Sequence, residues 1–198
     1  MQNNAAPPDP KTLDAVKAFC VGTWESLSVE LRPTEDRAGT GVIEPTRLTR
    51  RFEYHSPERF TGAITMFMDD YGAAPLMRFT FRGHLKWGGE HPIADGAWCI
   101  DYVLDQGFDV DPLHEGAVQM LNAGLPEGMD PFAVDKTSSI LGKPFPLFGI
   151  EAGQTLVDHD LLYFRNGLLF MGAKHVDGTP FDRPERRPHQ LQIPLARA

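Results

Sequence analysis

Cysteine is almost absent from this chain: Cys20 and Cys99 are the only two in 198 residues. That excludes a disulfide framework, and neither cysteine sits in a spacing used for zinc or redox chemistry. The pair fits a reducing compartment, with a single Cys20–Cys99 bridge as the less favoured alternative. Basic residues are also scarce, 19 Lys and Arg against 27 Asp and Glu, for a net charge of -8. A nucleic-acid backbone and an anionic membrane both want a basic patch, so neither is expected as the main partner. No apolar run approaches the roughly 18 residues of a spanning helix. Met1-Gln2-Asn3-Asn4-Ala5-Ala6-Pro7-Pro8 has neither a basic start nor an apolar stretch. Residues 1–10 therefore read as a disordered, solvated tail rather than a signal peptide, and the expected location is cytoplasmic.

The usual catalytic signatures are missing too. There is no Gly-Xaa-Ser-Xaa-Gly elbow, phosphate loop or dinucleotide fingerprint, which removes the commonest hydrolase and nucleotide-binding readings. No two histidines have zinc-site spacing. No metal and no cofactor is expected.

What the chain has is alternation. Its length suits one domain over residues 11–198, large enough to bury a core unaided. A helix is expected over residues 12–20, capped by Asp9 with Pro10 at its first position. Gly22-Thr23-Trp24 then opens a strand reaching Leu31, and residues 34–45 read as a polar loop. In residues 46–54, Leu48, Arg50, Phe52 and Tyr54 share a face. Phe60, Ile64, Met66 and Met68 do so in residues 59–68. Met77, Phe79, Phe81, Leu85 and Trp87 form the next row, opposite Arg78, Arg82, His84 and Lys86. Trp98, Ile100, Tyr102 and Leu104 form the fourth. Asp69-Asp70-Tyr71-Gly72 is a turn. Residues 106–150, rich in Gly, Pro and Asp with one helix over 113–122, read as a lid-like insertion. Strands resume over 155–164 and 168–174 around an Asn166-Gly167 hairpin turn, and a last strand is expected over 190–195.

The sum is a mainly β protein: an antiparallel lipocalin-like barrel or strongly curved sheet with an N-terminal helix and a long helical and loop insertion. Closing such a sheet leaves an inward face to be filled by side chains or by a ligand.

Several segments resemble, in order, the repeated domain of the secreted Wnt inhibitors called adenomatosis polyposis coli down-regulated proteins. They are Gly22-Thr23-Trp24-Glu25-Ser26 leading to Val29-Glu30-Leu31-Arg32-Pro33, then Arg47-Leu48-Thr49-Arg50 and Met120-Leu121-Asn122. Phe145-Pro146-Leu147-Phe148-Gly149-Ile150, residues 168–172, Asp177-Gly178 and Pro184-Glu185-Arg186-Arg187-Pro188 complete the series. The family's cysteine stands as Val29 here, and its tandem repeat is a single copy. The resemblance implies a barrel-like domain with an apolar cavity for a lipid chain, and no catalytic residue or metal.

The candidate binding residues are Arg50, Phe52, Tyr54, Met66, Met68, Met77, Phe79, Phe81, Trp98 and Tyr102, with Met120, Met129 and Met171 as adaptable thioethers. A close-packed core without a cavity is the competing reading of the same residues. Arg50 is singled out because an inward guanidinium must be paired. Either it holds a ligand carboxylate or phenolate bidentately, or it pairs internally, with Glu53 if a bulge shifts parity. The internal pair is favoured. His159, between Asp158 and Asp160, and His175 could each join an aspartate as a general base. Residues 182–188 read as a surface connection with an arginine–carboxylate clamp. The expected function is a soluble intracellular binder of a hydrophobic small molecule or lipid. The alternative is a cyclase, isomerase or lyase working in the same cavity. A third reading is an interaction domain with a filled interior, and a homodimer is compatible with any of these.

Overall fold

The computed structural model describes residues 9–35 and 40–198. The expected tail thus lies mostly outside the described residues, as do residues 36–39 of the expected loop. Ten strands form one antiparallel sheet: β1 (Gly22–Ser26), β2 (Glu30–Glu35), β3 (Ile43–Ser56), β4 (Arg59–Phe67), β5 (Pro75–Glu90), β6 (Trp98–Pro112), β7 (Ser138–Ser139), β8 (Leu156–Arg165), β9 (Leu168–Met171) and β10 (Leu195–Arg197). Their order is β1-β10-β9-β8-β6-β5-β4-β3-β2, with β7 on β6. β1 also pairs with β3, Trp24 opposite Phe52, so the sheet curves into a ring.

α1 (Leu13–Cys20) begins at Thr12, whose hydroxyl accepts from the Ala15 N–H. Asp9, expected to be that cap, instead accepts from the N–H groups of Asn166 and Gly167 and ties the chain start to the hairpin turn. Val16 and Cys20 are the buried face of α1. The Trp24 indole donates to the Cys20 carbonyl at 2.7 Å, satisfying one of the acceptors a helix end leaves open. Between helix and strand, Gly22 has φ +125, which a side chain rarely tolerates. α1 packs against one end of the strands: Phe19 lies 5.0 Å from Phe164, and Trp98 donates to the Lys11 carbonyl.

Several boundaries depart from expectation, among them β9, which ends at Met171 rather than residue 174. The first strand is broken at residues 27–29 into β1 and β2, which lie successively along β3. The expected loop over 34–45 is shorter, because β2 runs to Glu35 and β3 starts at Ile43. β6 continues to Pro112, so the insertion begins at Leu113 rather than residue 106. The final strand is Leu195–Arg197, and residues 190–194 contribute only a bridge from Leu191 to Gly172.

The insertion holds α2 (Glu115–Ala123), β7 and a 3-10 turn, Pro146–Phe148. It packs on the inward face of β5 and β6 where they project past β8. The Phe79 ring lies 6.4 Å from Phe145 and 5.0 Å from Phe148. No helix among the described residues is long and apolar enough to cross a membrane.

Candidate functional site

The alternating strands deliver their large side chains to the middle of the ring, where they meet each other. Phe60 and Tyr102 are 4.9 Å apart edge to face, Phe52 and Phe81 5.8 Å, and Phe81 and Phe108 6.3 Å. These are the spacings of favourable aromatic pairs. Tyr54 and Tyr102 share a hydrogen bond of 2.7 Å between hydroxyls, and burial holds both well above the usual phenol range.

Of the ten candidate residues, Arg50, Phe52, Tyr54, Met77, Phe79 and Tyr102 are buried. Phe81 and Met66 are half-buried, as is Trp98 at the α1 end. Met68 does not join the row: it is 45% exposed, because β4 ends at Phe67. There the Asp69 carboxylate gathers the N–H groups of Tyr71, Ala73 and Ala74 into the expected turn, and Met68 is carried out of the sheet with it.

Arg50 is inside and paired, with Glu30 rather than Glu53. Its Nε donates to Glu30 Oε1 at 2.8 Å, and both side chains are 2% exposed. The other Glu30 oxygen accepts from Arg32 Nε and Nη2 at 3.2 and 3.0 Å, and Ser26 donates to Oε1 at 2.7 Å. Burial, then the neighbouring Arg50 charge, lowers the Arg32 pKa. Glu53 faces outward beside His55. Asp160 is also buried, its Oδ1 accepting from the N–H groups of Leu161 and Gly172. Burial pushes its carboxyl up to about 6.

The histidines sort themselves by position. His159 meets Asp101 at 2.8 Å across the β6–β8 ladder, and the same Asp101 oxygen accepts from Arg187 at 2.7 Å. This is the expected arginine–carboxylate clamp, and it fastens residues 181–190 over the strands. His175 packs on Phe181, and His114 caps α2. Among the described residues no three His, Cys, Asp or Glu side chains form a group that could hold a metal. Cys20 and Cys99 are both free, and burial pushes the Cys20 thiol up to about 12.

A concavity of about 160 Å³ opens between α2 and the segment that follows it, lined by Met120, Leu121, Leu125, Met129, Phe132 and Phe145 among others. Asn122 sets its width: its amide donates to the Phe132 carbonyl and accepts the Phe132 N–H, fixing one wall to α2. Met120 and Met129 stand out in the sequence only as thioethers, and none of these residues carries the alternation of a strand, since they lie on a short helix and irregular chain. The chain matches no family model and, among curated proteins, finds no significant match.

Proposed function

We propose that the protein is a soluble, intracellular binder of a small apolar molecule, seated in the crevice beneath α2 at the mouth of the ring. The crevice is the observation that carries this reading. Its lining side chains are apolar, two of them are flexible thioethers, and Phe145 joins it to the aromatic interior. An apolar cavity of about 150 Å³ takes up benzene, so the crevice has room for one ring or a chain end. We read the ring itself, closed through β1, β3, β4, β5, β6, β8, β9 and β10, as a lipocalin-like barrel. Eight strands give an interior that side chains just fill, which fits the aromatic packing inside. The ordered motifs shared with the adenomatosis polyposis coli down-regulated domain support the same container reading. Binding is favoured over turnover because Tyr54, Tyr102 and Asp160 are engaged with protein partners and none lines the crevice.

The test is thermal unfolding with and without toluene, paired with the crevice-filling variant Leu125→Trp. A ligand at a hundred times its Kd stabilises by about 2.7 kcal/mol, which raises Tm by several degrees in a chain of this size. The wild type should show that shift and Leu125→Trp should not. Equal response of the two proteins would remove the crevice as the site.

A further inference from the structure

We propose that the ligand carries a carboxylate, and that Arg32 and Arg50 at the rim of the ring hold it. This rests on the binding function proposed above and names the ligand's chemical class. The inward face at this rim holds two guanidiniums and one carboxylate. Glu30 is fully used, Oε1 by Arg50 and Ser26, Oε2 by Arg32 twice. Among the described residues no other carboxylate forms an ion pair with either arginine. Asp160 is near enough to favour the Arg32 charge, but its Oδ1 is taken by two backbone N–H groups. Arg50 gives its Nη2 to the Ile193 carbonyl, and its Nη1 meets only the Met171 thioether at 3.6 Å, a weak acceptor for a charged donor. A buried guanidinium is stable only when paired, so one further anion completes the cluster. Planar bidentate binding is what an arginine offers a carboxylate. Arg32 is the reachable member, its side chain 18% exposed against 2% for Glu30.

The register supplies the place for an apolar tail. Glu30 pairs with Leu48, Leu48 with Met66, and Met66 with Met77, in one row across four strands. Arg50 heads the adjoining row, paired with Ile64 and through it with Phe79. From β3 to β5 is two strand spacings, about 10 Å. Phe79 then touches Phe145, which lines the crevice. A head on the arginines and a tail along Leu48, Met66 and Met77 would thus reach the apolar site already described.

The experiment compares decanoate with 1-decanol by calorimetric titration at pH 7.5, on the wild type, Arg32→Gln and Arg32→Lys. The wild type should bind the acid at least tenfold more tightly than the alcohol. In Arg32→Gln the ratio should fall towards one with the affinity for decanol unchanged, and Arg32→Lys, which keeps charge but loses the fork, should lie between. Equal wild-type affinity for acid and alcohol would overturn the carboxylate anchor and leave the apolar site standing. An undiminished ratio in a folded Arg32→Gln would remove Arg32 from it. Binding of neither compound would overturn both.

Discussion

Gly62 has no side chain because the ring of Phe81 occupies the space a β-carbon would take. The retreat of Phe81 is restricted, since Phe52, Phe60 and Phe108 pack around it at 5.8 to 6.3 Å. Gly62→Ala therefore overfills the ring and should cost about 1–3 kcal/mol, read as a lower urea midpoint with an unchanged slope. A midpoint equal to the wild type would mean that the aromatic cluster has slack. Glu30 governs the interior differently, as the sole carboxylate between two guanidiniums. Glu30→Gln leaves both without an ion-pair partner and should cost about 3–5 kcal/mol. In a double-mutant cycle, adding Arg50→Met should cost less than the sum of the two single changes. Strict additivity would show that the two groups, 2.8 Å apart, do not support each other.

The segment over residues 181–190 has one 3-10 turn, Pro184–Arg186, as its only regular structure and is held by a few contacts. Arg187 donates to Asp101 and to the carbonyls of Ile100 and Asp160, and Pro188 lies against Gly172. The segment in turn accepts the N–H of His159 at Phe181 and of Ala173 at Gln190. Arg187→Ala should leave β3 and β4 protected from hydrogen exchange while the His159 and Ala173 amides lose protection by an order of magnitude or more. Unchanged protection there would show that Pro188 and Phe181 suffice. The prolines and charges of this segment made it legible as a clamp, but its acceptor Asp101, 86 residues before Arg187, was not. The four central strands were legible because each buries one face, so a period of two is enforced. Asn166 and Gly167 were legible because both need positive φ, and they have 53° and 72°. The second half of β6 was hidden by chemistry. A bulge near residues 104–106 breaks the alternation, and Asp109 and Asp111 look like loop residues until Arg82 and Arg78 are seen beside them. Glu30 and Arg50 are 20 residues apart, and only the pairing of β2 with β3 brings them together. The crevice left the least trace, being built from one short helix and irregular chain.

At the scale of the whole molecule, closing a sheet into a ring concentrates buried charge in its wall, and pH then acts on the fold through a few groups. Asp160 lies where β9 leaves β8, and burial is the main cause of its carboxyl rising to about 6 from 3.8, with Asp158 adding and Lys174 opposing. A folded value above the free one means that the stability this group contributes is fully present below pH 3.8 and is lost as the pH rises through 6. His91 works the other way. Burial, then the charges of Arg187 and His189, lowers its pKa below 6.5, so its contribution is present above that pH and lost on acidification. The two overlap in wild-type data, but a variant separates them. Asp160→Asn keeps an oxygen for the Leu161 and Gly172 N–H groups and removes only the titration. Urea unfolding at pH 4.5 and pH 8 should therefore show the variant gaining on the wild type by about 2 kcal/mol at the higher pH, at about 1.4 kcal/mol per pKa unit. His91 is present in both proteins and cancels. A difference between the two proteins that stays constant with pH would place the Asp160 carboxyl in the ordinary range, and the buried charge of the wall would then rest on the Glu30 cluster alone.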